Sequence, residues 1–284
     1  MSAGAWSTTK LIVVVLLAAA GYACTARESD FFAPEPVDSS ILPDIDAPIF
    51  SAVKPVASAT ILNSNILSFT VADAAGSNGA AASGLDETTV SARLANGTAI
   101  PLTATGSSYA ASLSSLSDAA LSVTLSATDK AGNTRNSTLS FRLDRTAPLI
   151  GFTNAPPAQA ASSADSVLIS IGGTVSDGLL SSGQLTVSQP GTDGICGNAD
   201  DQLLPKGNAG GQVSENTFDL TAQLQANATF SASFFAYNAA SAGTSQTRIY
   251  CGSVAAVDAA RDENGVAKGN RGTGTVRAEI TWQR

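Results

Sequence analysis

An acidic loop in the second half of the chain contains the densest group of side chains that could bind a ligand. It runs from Thr192 to Asp201, and four of its side chains carry oxygen atoms suited to a cation: Asp193, Asn198, Asp200 and Asp201. A hard cation such as Ca²⁺ takes about six to eight oxygen ligands, and closely spaced Asp and Asn side chains on a turning backbone can supply several. In the alternative interpretation, the same residues are turn formers in a solvated hairpin loop. The sequence therefore predicts either a calcium site or a turn-rich loop.

Two of the three cysteines are placed to form a disulfide. Cys196 lies in the acidic loop, Cys251 follows the predicted strand Thr247–Tyr250, and the two can pair in an oxidising compartment. A bond between them would close a loop of about 55 residues and stabilise the fold by about 4 kcal/mol on the chain-entropy model. The alternative is a pair of reduced, buried cysteines. The sequence has no C-x-x-C pair, which argues against redox catalysis.

The sequence carries no pattern typical of an enzyme. It contains no histidine, and so lacks the commonest general base and the commonest ligand for transition metals. A G-x-S-x-G nucleophile elbow, a P-loop and a dinucleotide-binding fingerprint are also missing from it. A net charge of −8, with no cluster of Lys and Arg, argues against nucleic-acid binding. We therefore predict a non-catalytic protein with no catalytic residues, no cofactor other than the calcium considered above, and no nucleic-acid partner.

The elements that position these residues are predicted to be β-strands. Every second residue is apolar in Leu121–Ala127, in Leu139–Leu143 and in Val276–Trp282. This period of two places one face of each strand on a core and the other in water. Turn-forming pairs such as Asn96-Gly97 separate the strands, and no segment shows a sustained helical stripe of apolar residues. The pattern predicts an all-β fold.

An internal repeat predicts two domains. The segment Asp46–Phe50 (DAPIF) returns as Asp144–Ile150 (DRTAPLI), with the prolines Pro48 and Pro148 100 residues apart, a length typical of one sandwich domain. Three more matches follow in the same order: Thr70–Asp73 with Thr174–Asp177, Tyr109–Leu113 with Phe218–Ala222, and Leu121–Asp129 with Phe230–Asn238. Four ordered matches indicate a duplication.

The end of the first copy resembles a known family. Ala127-Thr-Asp-Lys-Ala-Gly-Asn133, followed by Phe141-Arg-Leu-Asp-Arg-Thr-Ala-Pro148, resembles the ending of bacterial Ig-like surface domains. Those domains close with a D-x-A-G-N hairpin and join the next repeat through D-x-T-A-P. The resemblance is weaker over the second copy, where Asn238-Ala-Ala-Ser replaces the hairpin. It implies Ig-like sandwiches used as spacer, adhesive or docking modules, and it implies no particular ligand, because a fold does not fix a function.

The first residues have the pattern of an export signal. A stretch ending in Lys10 precedes the apolar run Leu11–Ala20, and small residues lead to Cys24. The run is shorter than the roughly 20 apolar residues that a bilayer-spanning helix needs. Because Cys24 is the odd cysteine directly after this signal, it resembles the lipid anchor of a bacterial lipoprotein. The alternatives are simple cleavage after Ala23 and retention of the segment as a short membrane anchor.

Five further acids lie near the predicted domain ends: Asp44, Asp46, Asp73, Asp129 and Asp144. Cadherin-like modules hold calcium with acids in such places, but the ligand motifs of that family are missing here. Asp129 is instead expected to fix its hairpin through hydrogen bonds from side chain to backbone.

The predicted organisation is a signal peptide or membrane anchor (1–23), an extended linker (24–45) and two tandem immunoglobulin-like β-sandwich domains (46–146 and 147–284). We expect the second domain to carry a long loop, Pro190–Gly211, and an extra C-terminal strand. The function expected is that of an exported, membrane-tethered scaffold, periplasmic or on the cell surface. It would dock onto other membrane or periplasmic proteins as an accessory subunit of a membrane-associated complex. The alternative is a cell-surface adhesin or glycan-binding module.

Overall fold

The computed structural model describes residues 42–157, 160–177 and 179–284. The predicted signal or anchor segment, the proposed lipid anchor Cys24 and most of the predicted linker lie outside these residues. Among the described residues, no helix is both long enough and apolar enough to cross a membrane.

The first half of the described chain forms two facing sheets. Its strands are β1 (Ile49–Lys54), β2 (Ile61–Leu62), β3 (Ile66–Ala72), β4 (Leu85–Leu94), β5 (Ala99–Ile100), β6 (Thr103–Thr105), β7 (Ser108–Ser112), β8 (Ala120–Asp129) and β9 (Thr134–Leu143). One sheet has the order β1-β3-β7-β6 and the other β2-β9-β8-β4-β5. The strand β2 pairs in parallel with β9. This strand order is that of an immunoglobulin-like β-sandwich.

The second half repeats this plan. Its elements are β10 (Leu149–Asn154), β11 (Ala160–Ser162), β12 (Ser166–Ser176), β13 (Leu180–Gln189), β14 (Gln202–Leu203), β15 (Thr217–Asp219), α1 (Thr221–Asn227), β16 (Thr229–Tyr237), β17 (Ser245–Asp258) and β18 (Arg271–Gln283). The sheets have the orders β10-β12-β16 and β11-β18-β17-β13-β14, and β15 also pairs with β13. The prediction of two tandem immunoglobulin-like β-sandwiches is therefore confirmed.

Each sandwich encloses its own core, and the predicted alternation produces it. In β8 the side chains of Val123, Leu125 and Ala127 are fully buried, whereas the serines and threonines between them are only half-buried. The second core contains Trp282 and Tyr250, which are also fully buried. Burying one large apolar side chain stabilises a fold by about 1.5–3 kcal/mol, so the buried apolar side chains supply the main driving force for each sandwich.

The structural repeat differs from the sequence match in its second half. The first matches agree with the structure, because Ile49 pairs with Ala72 as Leu149 pairs with Ser176. The match of Leu121–Asp129 with Phe230–Asn238 is wrong. Phe230 lies on β16 and pairs with β12, just as Tyr109 on β7 pairs with β3, so the structural counterpart of β8 is β17. The match of Tyr109 with Phe218 on β15 is wrong for the same reason. All these strands alternate small polar and apolar residues, so pattern alone did not separate them.

The expectation of an extra C-terminal strand is also wrong. Strand β18 pairs with β17 along its length, as β9 pairs with β8, so it is the regular last strand of a sandwich. What the second sandwich has gained is a longer connection between these two strands. Asn270 follows Asp258 by 12 residues, whereas the corresponding Asn133 follows Asp129 by only 4.

A short helix, α1, was not expected from the sequence. Its N-cap residue Leu220 and its buried residue Leu224 are four positions apart, and a single such pair is too little to show as a helical stripe. The helix precedes β16, whose free edge is covered in part by side chains. Gln223 accepts a hydrogen bond from the N–H of Ser231 (2.7 Å) and donates one to its carbonyl (3.2 Å). Covering an edge in this way blocks pairing with another strand.

The hydrogen bond between the two largest buried side chains gives a test of the second core. The indole N–H of Trp282 donates to the hydroxyl of Tyr250 at 3.1 Å. The substitution Tyr250→Phe removes this acceptor and leaves a buried donor without a partner, so we expect the free energy of unfolding to fall by about 1–3 kcal/mol. Urea unfolding followed by circular dichroism and tryptophan fluorescence measures it.

The control is Tyr109→Phe in the first core. The Tyr109 side chain is buried and its hydroxyl donates to no described residue, so this change is expected to cost less than about 0.5 kcal/mol. Equal losses in the two variants would contradict the assigned role of the Trp282–Tyr250 bond.

Candidate functional site

The predicted disulfide is present. Cys196 and Cys251 are bonded, with a Cα–Cα distance of 5.4 Å and 55 residues between them in sequence. On β17, a side chain at Gly252 would meet Ile171 in the core, so the neighbouring Cys251 points to the outer face of its sheet. Cys251 is nevertheless fully buried. The bond therefore fastens the acidic loop over the outer face of the second sandwich.

The carboxylates of Asp193 and Asp201 in the acidic loop accept hydrogen bonds mostly from within the loop. Asp193 accepts hydrogen bonds from the N–H of Ile195 (2.9 Å) and from the side-chain amide of Asn198 (2.6 Å). The Oδ2 atom of Asp201 accepts hydrogen bonds from the N–H of Gly197 (2.8 Å) and from the hydroxyl of Ser188 on β13 (3.3 Å), whereas its buried Oδ1 accepts none from the described residues. The carboxylate of Asp200 lies against Gly191, which leaves no room for a side chain there.

Three carboxylates do come together, but at another place. In the part of the chain that the structure describes, the one group whose ligand atoms all lie within 4.8 Å of one another is Asp44, Asp73 and Asp129. The acidic loop does not gather its own three carboxylates that closely. Calcium binding by Asp193, Asn198, Asp200 and Asp201 therefore stays a prediction from the sequence.

The acid cluster of the first sandwich is held by backbone and amide N–H groups. Buried Asp129 accepts hydrogen bonds from the backbone and side-chain N–H groups of Asn133, both at 2.8 Å, which confirms its expected role in the hairpin. The N–H of Ser83 donates to Asp44 at 2.8 Å and holds the pKa of that carboxyl below its usual range. The N–H of Gly84 donates to Asp73 at 2.7 Å. The donor to Asp44 thus favours the charged form of that carboxyl.

The same arrangement of an asparagine and an aspartate recurs where the chain enters the second sandwich, and we call this arrangement the clamp. Asn270 donates to Asp258 from its backbone N–H (2.8 Å) and from its side-chain amide (2.7 Å), and the amide also donates to the carbonyl of Asp144 (3.0 Å). In the first sandwich the side chain of Asn133 donates to the carbonyl of Asp44 at 3.1 Å. In each copy, one asparagine thus ties the last hairpin to the segment that enters the sandwich.

Sequence reasoning missed the roles of Asp258 and Asn270. Their spacing differs from that of Asp129 and Asn133, so the D-x-A-G-N pattern is broken. The remaining signal is the Gly-Asn pair directly before the last strand, which occurs at Asn133 and again at Asn270.

Asp144 lies in the segment between the two sandwiches, where its surroundings disfavour the ionised carboxylate. It is only 7% exposed. Burial raises the pKa of Asp144, and the nearby carboxylates of Asp177 and Asp258 raise it further. The pKa shift is thus opposite in direction to that of Asp44, the corresponding residue of the first copy.

The connection between β17 and β18 contacts the first sandwich; we name residues 259–269 the junction loop. Its Arg261 forms a parallel bridge with Leu62 and so extends the sheet that contains β2. The N–H of Arg261 donates to the carbonyl of Ile61 (2.8 Å), and the N–H of Asn63 donates to the carbonyl of Arg261 (2.9 Å). Backbone hydrogen bonds therefore cross from one sandwich to the other.

Further contacts hold the junction loop in place. The N–H of Val56 donates to the carbonyl of Glu263 at 3.0 Å, and the side-chain amide of Asn63 donates to the carbonyl of Lys268. Gly265 has a φ of +80°, and a side chain there would meet Ser58 of the first sandwich. This position therefore requires glycine both for its conformation and for its close approach.

The segment that connects the sandwiches is itself anchored. Arg145 forms an ion pair with Asp118 at 2.8 Å and donates to the side-chain oxygen of Asn65 at 2.6 Å. Its guanidinium also donates to the carbonyl of Leu116. These bonds fix the connecting segment to the end of the first sandwich from which it leaves.

Comparisons with known proteins add little to the strand order. Neither known protein families nor curated proteins give a match. Among solved structures, the chain is similar to the titin domains Z1Z2 in complex with telethonin, with 16% identity, a TM-score of 0.29, and 84% of this chain and 97% of that chain covered. It is also similar to the fibronectin(III)-like modules of Clostridium thermocellum CbhA, with 15% identity, a TM-score of 0.31, and coverage of 83% and 94%. The assignment as tandem immunoglobulin-like sandwiches therefore rests on the strand order itself.

Removing the disulfide tests its contribution to stability. We expect the double variant Cys196→Ser, Cys251→Ser to lose about 4 kcal/mol of unfolding free energy, since the bond closes a long loop in the unfolded chain. Urea unfolding of the variant, compared with oxidised and reduced wild type, measures the loss. A variant as stable as the oxidised protein would show that the bond adds no stability.

Asp144 and Asp44 are expected to respond to pH in opposite directions. Because folding raises the pKa of Asp144, its ionised form disfavours the folded state. The variant Asp144→Asn should therefore have a higher Tm than wild type at pH 7, and the gain should shrink as pH falls through the raised pKa towards the ordinary value near 3.8.

The matched control is Asp44→Asn. The pKa of Asp44 is lowered in the folded state, so its charge stabilises the fold above the ordinary value and this contribution is lost as pH falls through the lowered pKa. Asp44→Asn should lower Tm at pH 7 and have little effect in strong acid. Thermal melts from pH 2 to 8 check both, and a lower Tm for Asp144→Asn at pH 7 would contradict the assignment.

Proposed function

We propose that this protein is a rigid, non-catalytic scaffold that works outside the cytoplasm and docks onto other proteins. In this proposal it is a bacterial Ig-like repeat lipoprotein, tethered to a membrane through Cys24, and an accessory subunit of a membrane-associated complex. The partners are other membrane or periplasmic proteins.

The junction loop is the observation that carries this proposal. Two sandwiches joined by a short segment would by default move relative to each other. Here Arg261 and Asn63 exchange backbone hydrogen bonds across the junction, and Asn270 binds the carbonyl of Asp144 between the sandwiches. These bonds fix the orientation of one sandwich relative to the other. A rigid scaffold requires such a fixed orientation, whereas a flexible tether does not.

Two features of the chain support export. The Cys196–Cys251 bond is of a kind that forms and persists in oxidising compartments. The basic and apolar N-terminal residues followed by Cys24 have the order of a lipoprotein signal. A catalytic role is disfavoured by the absence of histidine and of nucleophile motifs from the sequence. The described residues carry no feature of this kind in favour of the adhesin alternative.

A pair of substitutions at one position tests the rigid junction. Arg261→Pro removes the N–H that donates to Ile61, while Arg261→Ala removes only the side chain and keeps the backbone bonds. We expect both variants to stay folded and only Arg261→Pro to free the two sandwiches. Residual dipolar couplings are the measurement. One alignment tensor should fit both sandwiches in wild type and in Arg261→Ala, and two should be needed for Arg261→Pro.

Two results would count against the proposed function. If wild type itself needed two tensors, the sandwiches would not form a rigid unit. If the full chain purified alone from gently solubilised native membranes, the docking role would lose its support.

A further inference from the structure

The outer face of the larger sheet in the second sandwich contains a recess. Two adjoining cavities of about 340 and 410 Å³ lie over strands β13, β17 and β18 and share Gln184, Ala255 and Arg271. We call this combined recess the polar trough. Its floor has three rows of outward residues, because Thr186, Ser253 and Thr275 are cross-strand neighbours, Ala255 lies between Gln184 and Thr273, and Val257 pairs with Arg271.

Both walls of the polar trough are fixed by the fold. On one side lies the acidic loop, which is fastened to the sheet by the Cys196–Cys251 bond and by the hydrogen bond from the hydroxyl of Ser188 on β13 to Asp201. On the other side, Asp219 accepts a hydrogen bond from the N–H of Thr221 at 2.9 Å, and the Thr221 hydroxyl accepts one from the N–H of Gly183 at 3.2 Å. A recess with fixed walls binds without first having to be ordered.

Arg271 is the unusual residue of the polar trough. The described part of the chain contains nine arginines, and eight of them form a hydrogen bond or an ion pair with an oxygen atom of the protein. Arg271 alone has no such partner among the described residues, although the whole chain has a net charge of −8. A guanidinium group is matched best by a carboxylate, which it binds through two parallel hydrogen bonds.

The rest of the lining limits what that carboxylate can belong to. The floor beyond Arg271 offers hydroxyl and amide groups, which suit the polar backbone and side chains of a peptide. No aromatic residue of the described chain lines the recess, so it has no flat apolar surface on which a sugar ring could stack. The nearby Asp201 and Asp219 would repel a run of acidic residues. The lining therefore fits one carboxylate among neutral polar neighbours.

We propose that the polar trough binds an extended segment of a partner protein, with the carboxylate of one Asp or Glu side chain on Arg271. An extended chain advances about 3.3 Å per residue, so a segment of about four residues would reach from Arg271 to the row at Thr275. The inference rests on the proposed docking function, and it names the surface and the chemistry of the partner.

Blocked pentapeptides provide the test. The probes are acetyl-Ser-Thr-Glu-Thr-Ser-amide and the same peptide with Gln in place of Glu, titrated into the ¹⁵N-labelled full chain and followed by NMR. We expect the Glu peptide to shift the amide signals of Gln184, Ser253 and Thr273 saturably, and to bind at least about fivefold more tightly than the Gln peptide. A third peptide that carries its carboxylate only at a free C-terminus should bind no better than the Gln peptide.

Two variants separate Arg271 from general charge effects. Arg271→Gln should reduce the affinity for the Glu peptide to that for the Gln peptide, whereas Arg277→Gln should leave it unchanged, because Arg277 lies on the same strand but is paired with Glu279. Unaltered amide spectra outside the trough show that Arg271→Gln stays folded. No saturable shifts, shifts centred elsewhere, equal affinity of the Glu and Gln peptides, or undiminished binding to Arg271→Gln would each overturn the inference.

Copurification from native membranes distinguishes failure of the docking function from failure of the polar-trough inference. If native membranes yield a partner with wild type and equally with Arg271→Gln, the scaffold role stands and the polar trough is not its docking surface. If the peptide results hold but no partner copurifies, the trough binds carboxylates and the scaffold role loses its support.

Discussion

The need to satisfy buried polar groups where the chain enters each sandwich constrains the whole molecule. An asparagine does this twice, once with Asp129 and the carbonyl of Asp44, and once with Asp258 and the carbonyl of Asp144. Buried carboxylates and carbonyls are costly without hydrogen-bond donors, so each clamp fixes its last hairpin against its first strand. The second clamp also lies where the two sandwiches meet, so its hydrogen bonds hold the segment between the sandwiches as well as the last hairpin.

The second sandwich differs from the first in the hairpin that carries this clamp. In the first copy, Asn133 follows Asp129 by four positions, and the hairpin between them is short. In the second copy the hairpin is longer, and its added residues find backbone partners on the first sandwich at Ile61 and Asn63. A long exposed loop would leave its backbone to water and stay mobile, whereas this loop adds a bridge to an existing sheet edge. The insertion is therefore tolerated because a neighbouring domain supplies the hydrogen bonds.

The sequence was sufficient for the fold class and for part of the site. Alternating side chains identify the strands at Val123 and at Trp282, and the spacing of Pro48 and Pro148 identifies the repeat, because both follow from local rules of strand and turn chemistry. Cys196 and Cys251 could be paired because they are the two cysteines of the folded body. The strand assignments at Phe230 and the clamp at Asn270 were not within reach. They depend on which strand lies beside which, and that is decided by long-range packing.

The clamp residues Asp258 and Asn270 and the trough residue Arg271 belong to the same hairpin of β17 and β18, which would link rigidity with the proposed recognition. Arg271 follows Asn270 directly and pairs with Val257, the residue before Asp258. The arginine that faces the trough is therefore placed by the same residues that fasten the second sandwich to the first. A partner segment held on Arg271 would have its orientation relative to the first sandwich set within a residue or two of the junction. A docking surface far from the junction would transmit its orientation through the whole sandwich, so under the proposed docking function the position of Arg271 favours a fixed orientation of the partner.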